Sequence, residues 1–283
     1  MAKTPALRKR PSWPAAIAIA VCTLTLGRSA AAYHTDSEHI TDDTAWTLTG
    51  DKAFRVGLYK ASATIADRLD IGTYVWPWVL RTPNAFAKLR FLDLGPWQWA
   101  VEVGFFRLDT RAFQRADRTA PVITVGAIAL VTSIEIARSH QLSNKLVGTA
   151  GRVTGVVDQD SLVGEGRAGI TNMQYVLAYE YRASRSLALV LTGRYQLFQV
   201  VDGDASFTTN PDEYTSIEVQ AAARDPSTLN FRNAFSIVPA IAWSWSTFNL
   251  RIGAGFGNFN VPGVNVMLAS RTPIPELDLF WTF

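Results

Sequence analysis

At 283 residues, 48% of them hydrophobic and 18% charged, the chain is long enough to bury a core and too apolar to be a disordered polymer. Its 27 Lys+Arg and 24 Asp+Glu give +3, but five of those bases and none of the acids fall within residues 1–32. Beyond that stretch the balance is 22 against 24, or −2, so the basic excess is no argument for a nucleic-acid partner. The single cysteine, Cys22, also lies there, and a chain cut after residue 32 has no disulfide.

Residues 1–32 read as a secretory signal peptide. Lys3, Arg8, Lys9 and Arg10 lead, "WPAAIAIAVCTLTLG" is the apolar core, and "SAAA" supplies small residues before Tyr33. The expected cut follows Ala32. An uncleaved anchor is the alternative, although the apolar stretch is shorter than the roughly 20 residues of a spanning helix. Residues 33–43 are then expected to form an N-terminal segment on the periplasmic side.

Beyond residue 32 the recurring signal is alternation over about ten residues at a time. In chain order, strands are expected near 44–49 ("TAWTLT"), 53–65, 69–75, 84–92, 97–108, 122–136, 145–156, 171–182, 187–200, 234–245, 248–257 and 276–283. That makes twelve, with ten or fourteen as alternatives, and it fits a hairpin unit of about 40 residues. "WQWAVEVGF" sets Trp97, Trp99, Val101, Val103 and Phe105 against Gln98, Ala100, Glu102 and Gly104. "NMQYVLAYEYR", "LALVLTGRYQL" and "FNLRIGAGFG" alternate in the same way. Between 120 and 156 the alternation is weak. Pro239 lacks a ladder donor inside its strand, which calls for a bulge. "SIEVQAAARDP" reads as a short helix.

Such dyads suit either a soluble sandwich or a membrane barrel, and the aromatic residues separate the two. Tight turns at 93–96, 182–186 and 245–248, together with the C-terminus, have Trp97, Trp99, Tyr179, Tyr181, Trp243, Trp245, Trp281 and Phe283 beside them. A soluble core has no reason to sort aromatics by height, whereas a membrane interface does. Longer connections at 109–119, 157–169, 202–230 and 258–273 fall at the other end. In the four clean segments no charge takes the apolar parity, where Lys or Arg near the midplane costs about 2–4 kcal/mol. The expectation is an all-β protein, a transmembrane antiparallel up-and-down barrel over residues 44–283.

The chain's end, "LDLFWTF" with Phe283 last, resembles the C-terminal strand of bacterial outer-membrane β-barrel proteins. "ASATIADRLDIGTY" is loosely similar to hairpins of porin-like barrels. The resemblance implies a place in the bacterial outer membrane, contact with its lipid, and reading of the last strand by the barrel-assembly machinery. It points to a class and to no particular family.

The polar parity is expected to face a lumen through Lys88, Arg90, Glu102, Gln174, Glu180, Arg182, Arg194, Gln196, Arg251, Glu276 and Asp278. Mixed charges there make either a narrow aqueous path or a salt-bridged plug. Hydrolytic chemistry at the outer leaflet needs a His beside a Ser or an acid. His34 and His39 fall in the N-terminal segment on the periplasmic side, and His140, beside Ser139, falls in a periplasmic turn at 138–143, so no catalytic residue is assigned. Asp158, Asp160, Glu165, Asp202 and Asp204 lack a full calcium-loop pattern, and no metal or cofactor is expected. Arg111, Arg115 and Arg118 make a basic loop that suits lipopolysaccharide phosphates or plain solvent. The reading is a small porin-like channel for passive passage of small solutes. The alternative is a closed structural or adhesive barrel whose outside loops bind a partner, and an outer-membrane hydrolase is a distant third. Oligomeric state is not legible.

Overall fold

The computed structural model describes residues 40–48, 52–79, 81–109, 122–159, 162–209, 219–222, 234–261 and 265–283, all within one compact unit, residues 32–283. The expected leader, most of segment 33–43, and Arg111, Arg115 and Arg118 lie outside the described residues, as do Asp160 and the side chains of Asp158, Glu165 and Asp204.

Strands in chain order are β1 (Phe54–Gly57), β2 (Lys60–Ile65), β3 (Leu69–Tyr74), β4 (Asn84–Leu94), β5 (Trp97–Asp109), β6 (Val122–Ala137) and β7 (His140–Gln159). They continue with β8 (Leu162–Arg182), β9 (Leu187–Thr209), β10 (Val219–Ala222), β11 (Phe235–Ser244), β12 (Phe248–Val261) and β13 (Val266–Thr282). One helical turn, α1 (Trp76–Val79), joins β3 to β4. Each strand pairs antiparallel with its neighbour in sequence, except that β9 passes to β11, with β10 beside the upper part of β9. β8 joins β9, and β13 returns to β1, so among the described residues twelve strands close a ring.

Alternation works because successive side chains of a strand point to opposite faces. Outside stand Val103, Phe105, Ile128, Leu177, Leu189, Leu191, Ile237, Ile241, Ile252 and Leu277. Inside, the buried set includes Lys88, Glu102, Lys145, Gln174, Glu180, Gln196, Arg251 and Asp278. A greasy exterior around a polar interior is the reverse of a soluble barrel and matches a spanning one.

Wall height is uneven. β1, β2 and β3 have 4, 6 and 6 residues, whereas β7, β8 and β9 have 20, 21 and 23. About 9–11 residues suffice to cross a bilayer; β7–β9 exceed that length about twofold and β1–β3 fall short of it.

Several expectations need correction. "TAWTLT" is no strand: residues 44–48 run without ladder pairing inside the ring. The twelfth strand comes instead from 53–65, which folds back at Leu58–Tyr59 into β1 and β2. The loops expected at 157–169 and 258–273 are, among the described residues, largely hairpin, and within 202–230 the described residues 202–209 and 219–222 are strand, because backbone pairing continues without apolar alternation. Within "SIEVQAAARDP", Val219–Ala222 is a strand against β9 rather than a helix. Pro239 sits in no bulge. Register runs straight through it on both sides, and the β11–β12 ladder simply skips Val238 and Pro239. Opposite them, a Cβ on Gly255 would lie 2.1 Å from the Ile237 carbonyl oxygen, so the glycines of "GAGFG" allow a close backbone approach.

Candidate functional site: a plugged lumen

At the short-turn end the inner wall is built from small side chains. Ala100, Ala129, Val131, Val147 and Val176 line one side, and Ala188, Val190, Ala240 and Ala242 the other. Such a wall leaves room, and residues 40–48 fill it. Ala45 packs on the first set and Ile40 on the second, both buried.

Polar contacts fasten this segment to most of the ring. Asp42 accepts from Arg55 at 2.6 Å and lies 3.6 Å from Lys60. Asp43 meets Arg194 at 2.5 Å and Lys145 at 3.4 Å, and Lys145 also reaches Glu102 at 3.0 Å. The Ile40 amide donates to Glu180 at 3.2 Å, while its carbonyl accepts from Arg251 at 2.8 Å. The Ala45 amide donates to the Ser133 hydroxyl at 2.8 Å, and Lys88 donates to the Trp46 carbonyl at 2.6 Å. Burial pushes the Asp42 and Asp43 carboxyls up, but the surrounding cations, led by Arg55 at Asp42 and Arg194 at Asp43, overcome it and hold both below the usual carboxylate range.

Above the segment lies a cavity of about 270 Å³, bounded by Thr41–Asp43 below and by Phe259, Asn260 and Asn265 toward the far end. Asn265 belongs to the β12–β13 connection, which reaches across to β8: its carbonyl accepts from Asn172 at 2.9 Å and from Gln174 at 2.6 Å. The interior is therefore narrowed from both ends.

Each residue expected to face the lumen lies on the inner parity, in different company. Glu102, Arg194, Arg251, Glu276 and Asp278 border the cavity. Lys88 is bound to Asp70 at 3.2 Å and to the segment below. Arg182 and Glu180 pair with each other at 2.9 Å. Arg90 donates to the Asp67 carbonyl at 2.6 Å, near the short turns. Gln196 is fully buried, and neither of its side-chain polar atoms has a hydrogen-bond partner among the described residues. Sequence reasoning missed Asp42, Asp43, Arg55, Lys60, Asp70 and Lys145. Taking 53–65 as one strand hid the turn that sends Arg55 and Lys60 inward, and the polar step "DD" at 42–43 was the available signal for an inserted segment.

Trp97, Trp99, Tyr179, Tyr181, Trp243, Trp245, Trp281 and Phe283 stand at the short-turn end. Trp245, Phe248 and Trp281 form a run of tilted rings 5.1 and 5.2 Å apart. His140 stacks 4.8 Å from Tyr181 and hydrogen-bonds the Tyr179 hydroxyl at 2.6 Å, so it joins this aromatic band.

No protein-family model matches the chain, and no curated protein does either. Solved structures similar to it include outer-membrane expressed OmpT of Vibrio cholerae, 13% identical with a TM-score of 0.34, covering 79% of this chain and 62% of that one. The ferric citrate transporter FecA in its unliganded form is 12% identical, with a TM-score of 0.36 and coverage of 81% and 37%. CdiB from Acinetobacter baumannii is 11% identical, with a TM-score of 0.29 and coverage of 84% and 61%. The chain spans less than two thirds of the length of each. Its own geometry, a closed antiparallel ring that is apolar outside, polar inside and banded with aromatics at one end, is that of the outer-membrane β-barrel class.

Proposed function

We infer that the protein is a barrel of the bacterial outer membrane that passes small solutes under the control of its own residues 40–48. The leader read at 1–32 and the C-terminal strand ending at Phe283 support that location, with lipid around the ring and the barrel-assembly machinery as the partner that inserts it. The observation that carries the reading is the seat of residues 40–48. An extended segment lies below a lumen cavity and is held largely by side-chain contacts, which water can replace, rather than by strand pairing, which it replaces less readily. The apolar contacts of Ile40 and Ala45 favour a second reading, a permanently closed barrel with its work done on the outside loops.

Single-channel recording in planar bilayers separates the two. The full-length protein is expected to conduct rarely, and the Asp42→Asn, Asp43→Asn double variant to conduct more often. Silence of both at every voltage, in preparations with the heat-modifiable mobility of a folded barrel, would establish the closed barrel instead.

A further inference from the structure

The ring is closed over only part of its height. β1 meets β13 at Phe280–Thr282, with Phe54 and Leu58 adding bonds to Phe283 and Leu279. Above Leu279, no strand among the described residues pairs with that edge of β13. The other bank is low as well: β1 and β2 turn over at Leu58–Tyr59, and β3 ends at Tyr74.

Which backbone groups face this gap follows from the hydrogen bonds below it. Thr282 donates toward β12, to the Thr247 carbonyl, whereas Phe283 donates to Phe54 and the Leu279 carbonyl accepts from Leu58. Odd-numbered residues of β13 therefore turn their backbone toward the gap. The next three are Leu277, Pro275 and Pro273. With about 9–11 residues needed to cross a bilayer from Phe283, Leu277 and Pro275 fall within the crossing and Pro273 at its far edge. An unpaired amide there is costly, and two of the three positions are proline, which has none. The open edge is written into the sequence "PIPEL".

The cavity reaches this edge. It is bordered by Tyr59 and Tyr74 on the low bank and by Pro275 and Leu277, whose side chains point outward, 58% exposed for Leu277. We propose that the lumen opens sideways into the bilayer through this notch, and that the cavity takes the head of a single-chain amphiphile whose tail stays in lipid.

The head is uncharged and rich in hydroxyl donors. Five carboxylates line the cavity against four cations, and Arg55, paired with both Asp42 and Asp278, brings the balance to zero. Acceptors, by contrast, are in surplus. The carbonyls of residues 273, 275 and 277 face the notch, and the Asn260 side-chain oxygen is buried with no partner among the described residues. Val238, Phe259 and Ile274 offer an apolar flank for the first carbons of a chain.

The proposal rests on the membrane placement given above, and its test keeps the two apart. On a Cys22→Ser background, the full chain carries one spin label at Ile274→Cys, at Leu277→Cys or at Thr149→Cys, in phosphatidylcholine nanodiscs. Phe259→Cys replaces Ile274→Cys if the latter does not fold. Oxygen, which concentrates in lipid, is expected to relax the label at 274 nearly as strongly as at 277 and at least threefold more than at 149, on the continuous β7 wall. A label at 274 as shielded as at 149, with 277 exposed, overturns the notch. A shielded label at 277 overturns the membrane placement itself. Dodecyl glucoside is then expected to immobilise the label at 274 at concentrations at least fivefold below those of dodecyl sulfate or dodecyltrimethylammonium. No change with any of the three, or preference for a charged head, overturns the ligand assignment.

Discussion

Asp43 and Arg194 meet at 2.5 Å although 151 positions separate them, which ties the segment ahead of the first strand to the far wall of the ring. Arg194 is thus a latch on residues 40–48 as much as a lining residue. Arg194→Glu puts two carboxylates face to face, and losing such a pair costs about 1–3 kcal/mol, or about 5- to 150-fold in the balance between seated and released segment. Planar-bilayer recording should show more frequent opening and a shift of selectivity toward cations. Asp43→Asn added to Arg194→Glu should cancel part of the gain in opening. A double variant that opens as often as Arg194→Glu alone, or more often, would mean that the two residues do not act through each other.

Acid should release the segment only under strongly acidic conditions. Because Asp42 and Asp43 have folded values below the unfolded one of about 3.9, their contribution is complete above that pH and fades as pH falls through the folded values. Conductance and thermal stability are expected to stay level from pH 8 to pH 5, as far as these two groups set them. Opening frequency should rise below about pH 4. A rise centred near pH 6 would point to some other group.

Phe283 carries the closing seam. Its amide donates to the Phe54 carbonyl at 2.9 Å and its carbonyl accepts from Phe54 at 3.0 Å, beyond just three paired residues on each strand. Deleting Phe283, or changing it to Asp, should leave little heat-modifiable protein in the outer-membrane fraction, while Phe283→Tyr should assemble. Normal levels of the deletion variant would show that neither the seam nor the terminal aromatic is needed for insertion.

Gly255→Ala should destabilise the folded barrel by about 1–3 kcal/mol, since its Cβ has backbone 2.1 Å away. Gly104→Ala is the matched control, because a Cβ there meets nothing within 4 Å. Urea unfolding in detergent, followed by tryptophan fluorescence, compares them. Equal midpoints would mean that β11 and β12 separate at little cost.

Strands facing lipid on one side and the lumen on the other were legible in the sequence, because two solvents write a clean dyad: β5, the lower halves of β8 and β9, β12 and β13 all show it. The upper halves of β7–β9 were not legible, since both of their faces lie beyond the lipid and Gly-rich stretches such as "VGEGRAG" carry no alternation. β1–β3 were blurred for another reason. Strands of four to six residues give only two or three positions per face, too few to separate one strand from a hairpin. Residues 44–48 alternate like a strand, yet Thr44, Ala45 and Thr47 are buried against the inner wall. Periodicity reports the two faces of an extended segment and not what they touch.

Because β1 pairs with β13, the circle is completed by strands that lie far apart in the chain, Phe54–Gly57 and Val266–Thr282, so it shuts only after β13 has been made. Residues 40–48, by contrast, are made before β1, yet they are bound from β1 and β4, from β6 through β9, and from β12. A finished ring would have to admit this segment end-on, past Arg55, Lys88 and Arg251. The simpler order is that the curling sheet gathers around it, with Asp42 and Asp43 collecting cations strand by strand before the seam shuts. A chain stopped short of Phe283 is then a half-rolled sheet with a charged inner face and its own N-terminal segment already in place.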